Sequence, residues 1–362
     1  MQPTTLPSPL GRTLARFTAD SNLSAPAARE RYTRALRTGD LAPFPNAFAP
    51  APHRIEESEA DGLTTRKFLL KLRGTPNDPA GRSLPQVTNS TDLETESVII
   101  PMRKRHGISH TLCVSSQVGC AMGCEFCETA QMGLLRSLTS EEILAQWFAA
   151  KHHLGVDITN IVFMGMGEPL DNIDAVIAAI EALTDHAGAA VAMRRITVST
   201  VGRLDGIAKL REFASREGNK QLGLAVSINA PNDEIRNTIM PINKAMPLAD
   251  LIPALERWPV KANSKICAEY VLIPGVNDAA EHADEIADRL RNVPCCLNVI
   301  PYNPRRNSPW PAPTEESVQA FLRRLESRGQ FCKQRKTKGR DTMAACGQLG
   351  NENIRKRKLV TQ

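Results

Sequence analysis

The residues best suited to chemistry in this 362-residue chain are three closely spaced cysteines, Cys120-Ala-Met-Gly-Cys124-Glu-Phe126-Cys127. A C-x3-C-x2-C run can hold three irons of a cubane [4Fe–4S] cluster and leave the fourth iron without a protein ligand. That open iron can chelate the amino and carboxylate groups of S-adenosylmethionine and pass an electron to its sulfonium. The C–S bond then breaks to give a 5′-deoxyadenosyl radical. The competing reading of the same residues is a zinc site with Cys113 as fourth ligand. Zinc sites usually pair such a run with a second, distant Cys/His pair, whereas this triplet is complete by itself. Phe126 suits a wall against an adenine ring.

Other candidates follow apolar, strand-like runs. Gly165-Met-Gly167-Glu168-Pro169 sets glycines beside an acid, so backbone can approach a ligand while the carboxylate binds its ammonium or ribose. An ordinary strand-to-helix turn would read the same way. Ser199, Ser227 and Asn303 stand at strand ends, where they serve either as caps or as ribose and carboxylate contacts. Near the C-terminus, Cys346 sits in Ala344-Ala-Cys346-Gly-Gln-Leu349, between basic stretches. Small neighbours predict a flexible, accessible segment, which suits a nucleophile. Cys113 precedes the triplet by one strand, so two further thiols could meet near the same mouth and exchange. Two unrelated free thiols would fit the spacing equally well. Cys267, Cys295 and Cys296 lie in apolar runs and read as core filler.

These groups need a frame. Strand-like runs occur at 112–116, 161–164, 195–199, 222–227, 267–273 and 297–301. Between them, Thr139-Ser-Glu-Glu142 reads as a capping box opening a helix to about Lys151. Helical spacing recurs at 173–183, 248–258, 280–290 and 315–328. Six strands alternating with helices predict a parallel sheet with both faces covered. If the sheet curls into a barrel, its working groups belong on loops at the carboxyl ends of the strands. Earlier in the chain, residues 1–25 are rich in Pro, Ser and Thr and predict poor order. A helix is expected over 26–38, strands over 66–72 and 96–101, and a loop over 74–81. The expected division is an N-terminal accessory region, 1–95, partly disordered; a catalytic unit, 96–335; and a C-terminal segment, 336–362.

The formal charge is +6, and its surplus is uneven, in Arg103-Lys104-Arg105, Arg305-Arg306, Lys333 to Arg340 and Arg355 to Lys358. Runs flanking both cysteine regions fit a polyanionic partner. An aromatic content of 4% argues against a single-strand binder built on stacking platforms. The N-terminus carries no secretory pattern and no stretch is long enough to span a bilayer, so a cytoplasmic protein without a membrane partner is expected.

Taken together, these stretches resemble the RlmN/Cfr family of radical S-adenosylmethionine RNA methyltransferases. The resemblance is carried by Cys113-Val-Ser-Ser-Gln-Val-Gly-Cys120, the triplet, 165–172, 196–202, Ala230-Pro-Asn-Asp-Glu-Ile-Arg236, 240–243, 269–277, 299–304 and 344–349. It implies an α/β fold, a partial (β/α)6 barrel with a small N-terminal accessory module. It also implies one [4Fe–4S] cluster on Cys120, Cys124 and Cys127, with two S-adenosylmethionine molecules consumed per turnover. Gly167, Glu168, Ser199, Ser227, Ile228, Asn229 and Asn303 match cofactor-contacting positions.

The implied reaction methylates carbon 2 of an adenine, too electron-poor to attack a sulfonium methyl directly. Cys346 first takes a methyl group. The radical then abstracts hydrogen from that methyl, and the resulting methylene radical adds to the adenine, forming a covalent protein–RNA intermediate. Glu96 matches the proton acceptor. Cys113 finally attacks the Cys346 sulfur, giving a transient disulfide and releasing the product. The implied substrate is 23S ribosomal RNA, with transfer RNA as a second candidate, the electron donor a protein such as flavodoxin, and the enzyme a monomer.

The alternatives are Cfr-like methylation of adenine carbon 8, a radical enzyme acting on a non-RNA substrate, and an RNA-binding protein with a structural cluster. Three departures stand out. Ser227-Ile228-Asn229 replaces the usual Ser-Leu-His, the N-terminal part lacks an aromatic-rich helical pattern, and Thr-Lys-Gly-Arg-Asp341 replaces Arg-Gly-x-Asp.

Overall fold

The computed structural model describes residues 6–73, 93–105, 107–259 and 264–351; the expected loop at 74–81 and the basic run Arg355 to Lys358 lie outside them. The chain opens with α1 (Leu14–Ser21) and α2 (Ala25–Thr38). Strands β1 (Arg54–Ala60), β2 (Leu63–Lys71), β3 (Glu94–Lys104) and β4 (Gly107–Cys113) follow as an antiparallel run. The cluster-loop region adds β5 (Gln117–Gly119), α3 (Glu128–Met132), β6 (Leu134–Ser137) and α4 (Ser140–Phe148). Then come β7 (Ile158–Phe163), α5 (Ile173–Thr184), β8 (Ile196–Thr200), α6 (Leu204–Ser215), β9 (Gly223–Ser227), α7 (Asp233–Ile239) and α8 (Leu248–Glu256). The order ends with β10 (Ile266–Leu272), α9 (Ala280–Arg289), β11 (Cys295–Pro301), α10 (Glu315–Ser327) and β12 (Cys332–Gln334).

One ten-stranded sheet, ordered β1-β2-β3-β4-β7-β8-β9-β10-β11-β12, carries both halves. From β4 onward every pairing is parallel, as the six expected strands require, and β12 adds a seventh. The sheet is curled. Residues of β3 and β4 line the same cleft as residues of β11 and β12, and the Lys338 ammonium donates to the Pro101 carbonyl across the opening. The expected partial barrel is therefore present. Its core comes from the helix-facing side chains of the strands (Leu112, Ile161, Ile196, Val198, Leu224, Leu297, Val299), all 0–2% exposed. Burying each such side chain contributes about 1.5–3 kcal/mol. Among the described residues, no helix is long and apolar enough to cross a membrane.

The N-terminal region differs from expectation. Residues 6–25 are ordered, because Thr13 caps α1 and Leu10 and Phe17 are completely buried, Phe17 against Tyr32 and Phe44. Two isolated apolar residues in a polar stretch give no periodic signal, yet each fills the core of its neighbours. The expected boundary at 95/96 falls inside β3, and β2 pairs along it from Arg66 to Lys71, so sheet hydrogen bonds run through that point. The capping box at Thr139 forms as read, with Glu142 N donating to Thr139 Oγ1 at 3.2 Å and Thr139 N to Glu142 Oε2 at 2.9 Å.

Candidate active site

The cysteine triplet leaves the sheet just after β4 and β5 and is held in a tight loop. Cys120 N donates to Gly133 O at 3.0 Å, and Cys127 N to Cys124 O at 3.1 Å. Gly119 has φ +74°, and a Cβ there would overlap the Gly133 carbonyl, so only glycine admits this crossing. Cys127 then caps α3. All three sulfurs line one cavity at the carboxyl ends of the strands, together with Phe126. Burial, followed for Cys120 and Cys124 by repulsion from a neighbouring cysteine, pushes the three thiols up. Such a set gives up its protons only to a strongly positive centre.

Among the described residues, no three His, Cys, Asp or Glu side chains converge where a single metal ion would sit. Cys113 does not join the triplet: it lies at the end of β4, and its nearest charged company is Cys346, Arg335 and Glu269. The four-ligand zinc arrangement is thus not assembled. Three sulfurs around one cavity suit a cluster whose irons occupy separate corners, so the residues fit a [4Fe–4S] group.

The same cavity gathers Gly167, Glu168, Ser199, Ser227, Asn229, Asn303 and Cys346. Gly167 has φ +101°, and an added Cβ would stand 2.5 Å from the Gln117 side chain. Glu168 is 1% exposed; its carboxylate accepts from Val201 N at 2.9 Å and Leu170 N at 3.1 Å. Burial nevertheless pushes its carboxyl up to about 7. Asn303 accepts from Arg340 Nη2 at 3.0 Å, which ties the C-terminal segment to the end of β11.

Asn229 has φ +58°, a region that asparagine tolerates better than most side chains. Its Oδ1 accepts from Val271 N at 2.9 Å, so it braces β10 as well as facing the cavity. Ile228 is fully buried and does not line the cavity; its backbone joins β9 to Glu269 and Arg236.

Cys346 lines both this cavity and a second cleft, as do Ile300 and Asn303. The expected flexibility of its segment is not found. Gly347 O accepts from Glu128 N at 2.7 Å, Leu349 O from Thr129 Oγ1 at 2.6 Å, and Gln348 Nε2 donates to Pro304 O at 3.0 Å. Ala344 and Ala345 are buried, so the small residues permit close packing rather than motion. Burial pushes the Cys113 thiol up to about 12, with charge on Cys346 the next contributor, so the two thiols lie within electrostatic reach of each other. Both remain free thiols. Glu96 lines neither space; its carboxylate accepts from Gly350 N at 3.3 Å, beneath the Cys346 loop, and burial raises its pKa.

Two arginines escaped the sequence reading. Arg335 follows β12 inside a basic run that looks like solvated surface. Its Nη1 donates to Glu269 Oε1 at 2.8 Å, and the sulfurs of Cys346 and Cys113 help keep it firmly protonated. Arg236 is 0% exposed and donates to Val201 O at 2.6 Å, Ser227 O at 3.0 Å, Ile228 O at 2.9 Å and Asn243 Oδ1 at 2.6 Å. It fastens the carboxyl ends of β8 and β9, where the cavity begins. Replacing Arg236 by alanine strands those acceptors and is expected to lower stability by on the order of 3 kcal/mol, read by chemical denaturation. An unchanged midpoint would refute this role. The expected Arg305-Arg306 surface run is also partly structural: Arg305 Nε donates to Glu125 O at 2.6 Å, and Arg306 pairs with Glu128 at 3.2 Å.

Comparison with known proteins agrees with this geometry. Residues 114–290 match the radical SAM superfamily. A "probable dual-specificity RNA methyltransferase RlmN 1" of Protochlamydia amoebophila is 41% identical over 327 residues, covering 90% of this chain and 88% of that protein. The dual-specificity RNA methyltransferase RlmN of Lawsonia intracellularis is 42% identical over 300 residues, covering 81% and 77%. A crystal structure of a radical SAM methyltransferase from Sphaerobacter thermophilus superposes with a TM-score of 0.76 at 35% identity, covering 94% of this chain and 99% of that one. At this identity, over most of both chains, the chain belongs to the RlmN family of radical S-adenosylmethionine RNA methyltransferases.

Proposed function

We propose that this enzyme methylates carbon 2 of an adenine in 23S ribosomal RNA, with transfer RNA as a second substrate, through a methyl group carried on Cys346. The observation that carries the reading is the position of Cys346, whose side chain is shared by the cofactor cavity and the cleft beyond it. Cys120, Cys124 and Cys127 would hold the cluster, which when bound supplies the electron for cleaving S-adenosylmethionine. Two molecules of S-adenosylmethionine are consumed per turnover, one for the methyl group and one for the radical, with an electron donor such as flavodoxin.

This chain's own residues do the rest. Gly167 lets backbone approach the cofactor, Glu168 takes its ammonium, and Ser199, Ser227, Asn229 and Asn303 border its ribose and carboxylate. The one-carbon group carried on the Cys346 sulfur forms the new bond to the adenine carbon, which leaves base and protein joined through S–CH2–C. Glu96, whose buried carboxyl has a raised affinity for protons, accepts the proton that leaves. The Cys113 thiolate attacks the Cys346 sulfur. The S–S bond forms as the S–CH2 bond breaks, and the electron pair passes to the departing carbon, which takes up a proton to become the methyl group. An external thiol reductant returns the disulfide to two thiols. In this reading residues 1–95 are the accessory region, 96–335 the catalytic barrel and 336–362 the methyl-bearing segment and tail.

Glu168 gives the reaction a pH signature. Its carboxyl titrates at about 7 without cofactor, and only the carboxylate can pair with an ammonium. S-adenosylmethionine affinity is therefore expected to rise as pH increases from 6 to 8, with a proton released on binding below pH 7. Glu168→Gln should weaken binding roughly tenfold or more and flatten that dependence; a variant that keeps the slope would remove Glu168 from this role.

The decisive test of the whole reading is nucleoside analysis. RNA treated with reconstituted enzyme, reductant and S-adenosylmethionine is digested and compared with 2-methyl- and 8-methyladenosine standards. A 2-methyladenosine product is expected. 8-Methyladenosine would move the assignment to the Cfr-like reaction, and an unmodified RNA digest would overturn the assignment to RNA.

A further inference from the structure

One buried cation on the antiparallel strands lines neither cavity: Lys67, in the middle of β2 and 5% exposed. Its Nζ pairs with Glu56 Oε2 at 2.7 Å, and the sheet register sets Glu56 of β1 directly opposite it. On its other side Lys67 stands opposite Val98 of β3, which in turn stands opposite Cys113 of β4. Strand alternation therefore puts Glu56, Lys67, Val98 and Cys113 in one row on one face, with Glu96 on the same face two residues along β3. The C-terminal segment lies over that face. Ser58 Oγ donates to Asp341 Oδ1, Thr65 Cγ2 closes over Gly339, and Glu96 Oε2 accepts from Gly350 N at 3.3 Å.

Burying an ammonium is costly, and a buried lysine–carboxylate pair seldom adds net stability. The charge of Lys67 therefore calls for a task besides joining β1 to β2. Glu96 is within its reach. The two residues are diagonal neighbours across β2 and β3, about 7–8 Å apart, a gap that long side chains span. Glu96 is 6% exposed, and burial raises its pKa; Lys67 is the largest influence in the opposite direction, ahead of the Gly350 amide. Glu56 works against the lysine, and Arg306 with it. Arg306 is also engaged by Glu128 at 3.2 Å and by the Gly350 carbonyl at 3.2 Å. The groups facing Glu96 are thus Lys67 from β2, Glu56 from β1, Arg306 from the loop after β11 and the Gly350 amide from the tail.

We propose that Lys67 is a positioning residue for the reaction: its ammonium, fixed by Glu56, keeps Glu96 ionised under the Cys346 loop and so able to accept a proton. The inference rests on the reading of Glu96 as the proton acceptor. A carboxyl buried here without an opposing cation would hold a proton of its own and could take none from the substrate. Lys67 supplies that cation from outside both cavities, leaving them free for cofactor and base.

The test is the pH dependence of RNA methylation by the full-length enzyme at saturating S-adenosylmethionine. Glu96 accepts a proton only as the carboxylate, so activity falls as pH drops through its pKa. Loss of Lys67 raises that pKa. In Lys67→Met the acid limb should therefore move up by roughly one pH unit, with about tenfold lower activity on the limb and recovery at higher pH. Glu56→Gln removes the opposing charge and should move the limb the other way. Lys67→Arg should keep the wild-type limb. Glu168 and Cys113 are common to all these variants, so they create no difference between them. Loss of packing alone would not shift the limb in opposite directions from the two ends of one ion pair. A uniform loss at every pH in Lys67→Met, or a limb that stays put in Lys67→Met, would overturn the inference. If the methionine variant does not fold, Glu56→Gln decides: a limb at lower pH upholds the role, and an unmoved one overturns it. Glu96→Gln separates this inference from the reading beneath it. If that variant loses methylation while the limb ignores Lys67, only Lys67 falls; if it methylates at the wild-type rate, Glu96 is not the acceptor and both fall. A wild-type protein that methylates no RNA would overturn the function and this role together.

Discussion

Replacing Cys346 by alanine is expected to abolish RNA methylation, by roughly three orders of magnitude or more, while leaving cleavage of S-adenosylmethionine by the reduced protein intact. The reason is positional. Cys346 is the cysteine that borders both the cofactor cavity and the basic cleft, and its neighbours hold it there through the Gly347, Gln348 and Leu349 hydrogen bonds. Alanine fits the same backbone, since Ala344 and Ala345 beside it are already packed. The fold and the triplet should survive, and only the methyl carrier is lost. Two measurements check this: the mass of the purified chain, which should lack the methyl group found in wild type, and the yield of methylated nucleoside. Substantial methylation by the alanine variant would remove the carrier from the mechanism.

The second large effect is expected at the release step. Cys113→Ala should leave the chain able to bond to RNA but unable to let go, so a protein–RNA adduct that survives denaturation should accumulate and multiple turnover should cease. Burial holds the Cys113 thiol near 12, so at neutral pH it rests as the thiol. Exchange needs the thiolate, so release in the wild type should accelerate with rising pH over the whole range below that value. Arg335 opposes the burial cost by placing a cation beside both sulfurs. Electrophoresis under denaturing, non-reducing conditions reads the adduct directly. Free, fully methylated RNA from the alanine variant would show that Cys113 is not the resolving thiol.

Much of the site could be read in the sequence because its chemistry is local. Three cysteines within one loop, a glycine–glutamate turn and a capping box each need only neighbours in the chain, and each occurs where its spacing places it. The alternation of strands and helices from Leu112 onward likewise predicts the parallel sheet, because each strand buries an apolar face under the helix that follows. Long-range facts were hidden. Phe17 and Leu10 look isolated until the α1–α2 pair folds over them. Arg236 and Arg335 look like surface charges, and only the closed barrel surrounds them with carbonyls and a carboxylate from other strands. At the end of β9 the side chain of Ile228 turns into the core, while Ser227 and Asn229 on either side of it line the cavity.

By itself, then, the order of residues determined the three-cysteine loop, the rhythm of the sheet and the presence of two further thiols, Cys113 and Cys346. Tertiary structure alone decided that Cys346 is tethered rather than mobile, that Cys113 stands within its electrostatic reach but outside the cavity of the triplet, and that a second, cationic cleft is also lined by Cys346. The physical reason is separation along the chain. Spacing reports contacts made within a loop or a turn, whereas these depend on how far a twisted sheet curls before its first strands face its last.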